Sequence, residues 1–363
     1  MSMKSKLFGG IDVHKSRSTI FMIDEQGNKV KAKTIITNLE FFEEFFRSYA
    51  NGEYEIEIAV EAGNLAFWLC NILHRFGIKT YVVNVLENKS ISHSAKKTDK
   101  RDARVLALQL LKGYLPERVY EPNLRERELR GLVQHRYQIV RDRTRIVNRA
   151  YCLLTRAGIL LSKKNLADYD RYWQDVLDEK IRDKESSLYF EFQFYFDQHR
   201  LQSKQLNEIE KKLAKKVKEL FPEEHALLLS IQGVGEVTAT ALLAYVGDMS
   251  RFKSARKFAS YMGLVPFIRE SGGKRNQSSG RITKKGVSIL RGYLTQGIIA
   301  LLTTKSRAKS SPQPLVEFYE HIKIKKGWRK ARIAMARKLC HIIFGVLKSK
   351  KKFDPTYINP KAA

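Results

Sequence analysis

Cysteine is scarce in this chain: Cys70, Cys152 and Cys340 are the only three in 363 residues. They lie far apart and form no Cys-x-x-Cys pair, which excludes a disulfide framework and a zinc knuckle as organising features. Each is expected to be a small buried hydrophobe. No segment has the length and apolarity of a membrane-spanning helix. The start, MSMKSKLFGG, has no apolar core of the signal-peptide kind, so a cytoplasmic location is expected. Acidic residues are also in short supply. There are 38 Asp and Glu against 67 Lys and Arg, which leaves a formal charge of +29. Such an excess repels itself, and a polyanionic partner is the simplest compensation. Nucleic acid fits best, because neutralising phosphates releases counterions and gives affinity without regard to sequence.

What is present is ordinary for a folded protein. Hydrophobic residues make up 43% of the chain, and its length exceeds one typical core, so two domains and a connector are expected. In the first hundred or so residues LFGGIDVHKS and STIFMID read as a strand pair and KVKAKTIIT as a third strand. A helix at LEFFEEFFRSYA, a strand at EYEIEIAVEA, a helix at NLAFWLCNILHRF, a strand at KTYVVNV and a helix at KRDARVLALQLLKGY follow. That order is the one found in ribonuclease H-like folds. Asp12 follows the apolar run of the first strand, and Glu61 ends the fourth. Asp99 and Asp102 start the last helix three residues apart, so they share one face. Four carboxylates converging from separate elements need a hard cation, and Mg²⁺ suits both them and a phosphate. Two such ions ~4 Å apart can serve both the attacking and the leaving oxygen. The plainer alternative is that each acid is a turn or cap residue.

GIDVHK around Asp12, VEAGN around Glu61 and KTDKRDA around Asp99 and Asp102 resemble the acidic motifs of the IS110 type of insertion-sequence transposase. That family has a RuvC-like domain with a DEDD acid set and includes the Piv-type DNA invertases. The resemblance implies that Asp12, Glu61, Asp99 and Asp102 are metal ligands. AGN after the glutamate departs from the expected small residue, Thr and Gly. His14 and His93 lie near these motifs. His14 is read as a strand-end neighbour that contacts the site rather than as its base.

From about residue 123 to 158 a long helix carries nine arginines, among them Arg141, Arg145 and Arg149. Val133, Tyr137, Val140, Thr144, Val147, Tyr151 and Leu154 follow steps of four and three, the spacing of a coiled-coil seam. Leu206, Ile209, Leu213, Val217 and Leu220 repeat the pattern before Pro222. An intramolecular hairpin and an intermolecular seam both fit. The arginines suit phosphate contacts or a solvated face. Residues 162–198 carry no assignable chemistry.

Ile231-Gln-Gly233-Val-Gly235, followed by Ala239 and Leu242, matches a helix-hairpin-helix. Its glycines allow a tight turn and bring backbone N–H groups close to a phosphate. Downstream, a loop rich in Ser, Gly, Lys and Arg holds Ser271, followed by Gly272, Gly273, Lys274 and Arg275. An attacking serine at DNA needs nearby cations and an unobstructed hydroxyl. Ser271 meets this best, and Ser278 and Ser279 nearly as well. GLVPFIRESGGKR and GRITKKG resemble the C-terminal transposase signature of the same family, which implies that Ser271 is the nucleophile. The resemblance further implies a phosphoserine–DNA intermediate, a composite active site, a homo-oligomer (dimer or tetramer) and a noncoding bridge RNA.

The expected architecture is α/β followed by α. A ribonuclease H-like (RuvC-like) mixed-sheet domain occupies residues 1–120 and a helical coiled-coil connector 121–222. A mainly helical transposase domain with the helix-hairpin-helix occupies 223–350, and a tail 351–363. The expected function is DNA recombination by a transposase that uses Mg²⁺ and Ser271, with Lys274, Arg275, Gly233, Gly235, Arg141, Arg145 and Arg149 contacting nucleic acid. A metal-dependent nuclease of the Holliday-junction resolvase kind, without a covalent intermediate, is the alternative. A non-enzymatic nucleic-acid scaffold is the third reading.

Overall fold

The computed structural model describes residues 5–49, 52–84, 98–168, 170–267, 282–305 and 314–358, in two compact units, 1–122 and 123–363. Ser271, Lys274, Arg275, Ser278, Ser279 and His93 lie outside the described residues.

The N-terminal unit is a five-stranded mixed sheet in the order β3-β2-β1-β4-β5. The strands are β1 (Ser5–Val13), β2 (Arg17–Ile23), β3 (Lys29–Ile36), β4 (Tyr54–Glu61) and β5 (Lys79–Val83). β2 pairs antiparallel with β1 and β3, while β4 pairs parallel with β1 and β5. This is the expected ribonuclease H-like, RuvC-like domain, with each strand and helix where the hydrophobic pattern placed it. Alternation along β1 divides the sheet into two faces. Leu7 and Ile11 join Ile58 and Val60 under α1 (Leu39–Arg47) and α2 (Ala66–Arg75), where Phe42, Phe46 and Leu69 complete the core. The opposite face is covered by α3 (Asp99–Leu111), whose Ala103, Leu106 and Ala107 are fully buried. Gly10 makes that contact possible. A Cβ there would overlap the Ala103 carbonyl oxygen and lie 2.7 Å from Ala107 N, so α3 rests directly on the β1 backbone.

The C-terminal unit is helical. The 33-residue helix α4 (Leu124–Arg156) starts at a capping box in which Asn123 Oδ1 accepts from Glu126 N and Glu126 Oε2 accepts from Asn123 N. Two short helices, α5 (Lys163–Asp168) and α6 (Asp170–Asp175), lead to α7 (Ser187–Leu220), which runs antiparallel to α4 in the same chain. The cross-links run in opposite senses along the two helices: Glu128 with Lys216, Arg136 with Glu210, and Arg143 with His199. The long-helix pair is therefore an intramolecular hairpin.

Its seam departs from the expected one. Val133, Val147 and Leu154 are buried as anticipated and Val140 is half-buried, but Thr144 is exposed and Tyr137 and Tyr151 are only half-buried. The true seam swaps those three for Arg136, Arg143 and Ala150, which keeps the four-three spacing. Two arginines enter it because Glu210 and His199 meet them from α7, a pairing that periodicity on one helix does not reveal. At the far end Trp173 stacks on Phe192, Phe196 and His199 and donates from Nε1 to Leu166 O at 2.7 Å. The aromatic stretch without assignable chemistry thus closes the hairpin tip. The other end of the hairpin shares its core with α8 (Pro222–Leu229), α9 (Glu236–Val246), α10 (Ala255–Tyr261), α11 (Ser288–Lys305), α12 (Pro314–Lys326) and α13 (Trp328–Ser349).

Cys70 and Cys340 are buried as expected, and burial pushes the Cys340 thiol up to about 12. Cys152 is exposed on α4, between the half-buried Tyr151 and the buried Leu153, so the expectation of burial fails there. Among the described residues no helix is long and apolar enough to cross a membrane.

Candidate metal centre and nucleic-acid groove

Asp12 is the penultimate residue of β1, opposite Thr19 of β2, and is only 6% exposed. It follows Gly10 by two residues and so lies on the face that α3 covers. A buried carboxylate without a compensating charge is costly, so what surrounds it decides its role. His14, two residues further, returns to the same face. Its Nε2 stands 3.3 Å from Asp12 Oδ2 and 3.8 Å from Asp99 Oδ1. Asp99 is the first residue of α3, after the N-cap Thr98 whose hydroxyl accepts from Arg101 N at 3.4 Å. One donor atom each from Asp12, His14 and Asp99 falls within a common 4.8 Å. Two carboxylate oxygens and one imidazole nitrogen gathered in that space form a donor set for a divalent cation.

Glu61 and Asp102 are outside this closest group. The framework still aims both at the same side. In the β1–β4 register Gly10 pairs with Ala59 and Ile11 with Val60, so Asp12 and Glu61 stand next along two adjacent parallel strands. Ala59 packs with Leu106 and Leu110 of α3, which puts Glu61 on the α3 face too. Asp102 follows Asp99 by one helical turn and is half-buried. The sequence thus located the acids correctly in the fold. It left His14 out of the ligand set, although the two-residue step from Asp12 along a strand was a readable signal that both point the same way.

The second candidate region belongs to the C-terminal unit. Gly233, at φ +84°, turns the chain between α8 and α9, and Gly235 is the α9 N-cap without a side-chain cap bond. α11 meets this turn backbone to backbone, since a Cβ on Gly297 would overlap the Gly233 carbonyl oxygen. Together with α4, these elements form an open groove of about 890 Å³. Arg136, Arg141 and Arg145 line one wall, Gly233, Gly235 and Thr238 another, and no carboxylate is among the lining residues.

The arginines of α4 fall into two groups. Arg130 donates to Ala244 O and Tyr245 O and so satisfies the C-terminal carbonyls of α9, a task that Arg251 shares through Tyr245 O and Val246 O. Arg136 bonds Glu210 and the Tyr293 hydroxyl, and Arg143 bonds His199 and Ala167 O. These three are structural. Arg141, Arg145 and Arg149 instead form an exposed stripe at four-residue steps. Arg141 lies 5.7 Å from the Tyr137 ring centre and Arg145 pairs with Asp142 at 2.7 Å. Arg149 lies one turn beyond the groove.

Comparison with known proteins agrees with both units. A model of the DEDD IS110 type, described as transposase, matches residues 9–159. Another, described as transposase of the IS116/IS110/IS902 family, matches residues 225–312. The chain is 25% identical to the transposase for insertion sequence element IS1111A of Coxiella burnetii, over 95% of this chain and 91% of that protein. It is 26% identical to the pilin gene-inverting protein of Moraxella lacunata, over 96% and 98% of the two chains. A shorter match, 36% identical over a quarter of each chain, is to the transposase for insertion sequence element IS1328 of Yersinia enterocolitica. With an acid-bearing RuvC-like sheet at one end and a helical transposase region at the other, the chain belongs to the IS110/IS1111/Piv family of transposases and DNA invertases, enzymes that cleave and transfer DNA strands.

Proposed function

We propose that the Asp12–His14–Asp99 cluster is the centre at which this enzyme cleaves DNA with the help of a divalent cation. The observation that carries this reading is the convergence of three donor atoms within 4.8 Å around a buried strand carboxylate. Asp12 and Asp99 would hold Mg²⁺ through oxygen, and His14 makes the site still better suited to Mn²⁺, which accepts imidazole readily. Glu61 and Asp102, on the same face, would complete the four-acid set and hold a second ion. When bound, such cations supply positive charge against the oxygens of a phosphodiester. The protein's own part is to fix the carboxylates: Asp12 on a central strand, and Asp99 and Asp102 on a helix seated against that strand's backbone. The DNA backbone would lie along Arg141, Arg145 and Arg149 and over the Gly233–Gly235 turn, where N–H groups and guanidinium groups can meet phosphates.

A second reading is supported by the family model that spans residues 225–312, and with them Ser271. In that reading the Ser271 oxygen forms a bond to phosphorus as one backbone P–O bond breaks. The serine proton passes to a base, and the released DNA hydroxyl takes up a proton. Reversal with a new hydroxyl rejoins the strands, which is what recombination requires. Lys274 and Arg275 would neutralise the phosphate. The family resemblance supports a noncoding bridge RNA and a homo-oligomer, dimer or tetramer, as partners.

A denaturing gel separates the two readings. Labelled element-end DNA is incubated with Mg²⁺ or Mn²⁺, RNA transcribed from the flanks of the gene, and wild type, Asp12→Asn or Ser271→Ala protein. Loss of all cleavage in Asp12→Asn supports the metal centre, and undiminished cleavage rejects it. A protein–DNA adduct present in wild type and absent in Ser271→Ala establishes serine attack. Free cleaved ends without an adduct in both proteins make Ser271 a bystander and leave hydrolysis at the acidic centre.

A further inference from the structure

The helix that carries Asp99 and Asp102 has a second chemical face. Lys100, Arg101 and Arg104 occupy the alternate positions of its first turns, and with Lys29 from β3 they line a cleft of about 660 Å³. Phe21, Gly27 and Thr98 complete the lining, and no carboxylate is among these residues. Of the two acids on the β2–β3 turn, Glu25 is exposed and outside the lining, and Asp24 is engaged elsewhere. Burial raises its carboxyl, but bonds from Asn28, Gln26 and Gly27 more than offset this and hold it below the usual range, so its charge is spent on the turn. Lys29, Lys100, Arg101 and Arg104 are all exposed. Lys29, Lys100 and Arg104 around one polar cleft repel one another, and no carboxylate lines its wall, so the cleft is charge-complementary to a polyanion.

We infer that this cleft binds the sugar-phosphate backbone of the DNA strand that is processed at the acidic centre, gripping phosphates next to the one that is cut. The inference rests on the proposal that DNA is cleaved at Asp12, His14 and Asp99. Its independent support is continuity: Thr98, the N-cap directly before Asp99, lines the cleft, and so does Lys100, directly after it. A strand that presents one phosphate to the carboxylate face of α3 therefore meets cations on the other face within one helical turn, about 5.4 Å of rise, which is close to the spacing of successive phosphates. One short helix would then both repel the backbone, where a cation must intervene, and attract it, where none is needed. This arrangement aligns the strand before any metal is bound.

The test is the salt dependence of binding, read without cleavage in EDTA. The full chain is titrated with a labelled DNA strand, the same sequence as duplex, and the same sequence as RNA, between 50 and 200 mM salt. Each phosphate that a variant no longer neutralises lowers the slope of log affinity against log salt by about 0.7 to 0.9. The variant Lys29→Gln/Lys100→Gln/Arg104→Gln is expected to lose roughly 2 units of slope on DNA. The control Lys33→Gln/Arg47→Gln/Arg75→Gln removes the same charge from the α1–α2 side of the sheet and should leave the slope near wild type. The charge-keeping variant Lys29→Arg/Lys100→Arg/Arg104→Lys should also behave as wild type, which excludes damage to the fold. Equal slopes for the cleft variant and the control would overturn the inference, and so would a loss confined to RNA. Failure of the underlying reading looks different: Asp12→Asn would still cleave, while the slope of the cleft variant would remain reduced.

Discussion

In the N-terminal unit a carboxylate is buried on the central strand of a sheet, and its partners arrive on the strand end and on a helix pressed against backbone. In the C-terminal unit guanidinium groups are strung along one 33-residue helix, with Arg130, Arg136 and Arg143 spent on structure and Arg141, Arg145 and Arg149 facing solvent. The first arrangement fixes a few atoms within ångströms of one another, as a cation and a scissile phosphate require. The second spreads charge over many turns, which suits a backbone that repeats and need not be held at any one atom. On the proposed reading, the metal-dependent chemistry belongs to the sheet, and the exposed stripe of the hairpin adds to the grip that the α3 cleft provides.

The sharpest way to break this division is Asp12→Asn. It should lower the rate of DNA cleavage by about 10³-fold, taking the several kcal/mol that metal charge stabilisation supplies at about 1.4 kcal/mol per tenfold. Binding of DNA in EDTA should change little. A variant that cleaves at the wild-type rate would move the chemistry out of the sheet.

Next in size is Gly10→Val, which touches no ligand but forces α3 off β1. Overpacking of this kind costs about 3 kcal/mol or more. A urea unfolding curve should show the loss, with cleavage falling as Asp99 and Asp102 are displaced.

Within the hairpin, Arg136→Ala and Arg141→Gln separate structure from grip. Arg136 is 14% exposed and meets Glu210 at 2.6 Å, so its loss should cost about 1–3 kcal/mol in urea unfolding. Arg141 is exposed, and its replacement should leave stability within about 0.5 kcal/mol. The salt slope of DNA binding should drop by about 0.7 to 0.9. The reverse pattern would mean that the exposed stripe is not the DNA side.

The smallest effect concerns acid stability. Burial pushes the Glu57 carboxyl up, but hydrogen bonds from Lys79 and Tyr81 and the charge of Lys79 more than offset it, so it sits below the ordinary glutamate range. A depressed folded-state value adds stability above the unfolded-state value, and that stability is lost as pH falls through the folded one. Glu57→Gln should therefore be less stable than wild type at neutral pH. The difference should shrink as the medium is acidified below the glutamate range, and a constant gap in urea midpoints would contradict it.

Much of the sheet was legible because alternation and apolar runs report burial directly, and Asp12, Glu61, Asp99 and Asp102 fell at element ends where the pattern stopped. His14 was undervalued because its weight depends on Asp99, which is distant in the chain and adjacent in the fold. The hairpin seam was half legible. Val133, Val140, Val147 and Leu154 announced themselves by spacing, but Arg136 and Arg143 replaced Tyr137 and Thr144 at the interface because Glu210 and His199 compensate them from another helix. Local pattern reports apolar burial well and paired polar burial poorly. The basic cleft of α3 was invisible for a similar reason, since Lys29 joins it only through the sheet.

The central claim, that Asp12, His14 and Asp99 form a divalent-cation site, is tested most directly by titrating the full chain with Mn²⁺ and following the free-ion paramagnetic resonance signal. Wild type should remove Mn²⁺ from solution in stoichiometric amount. The double variant Asp12→Asn/Asp99→Asn should leave nearly all of it free while unfolding in urea at a similar midpoint. Equal uptake by the two proteins would contradict the assignment and place the metal, and with it the chemistry, elsewhere.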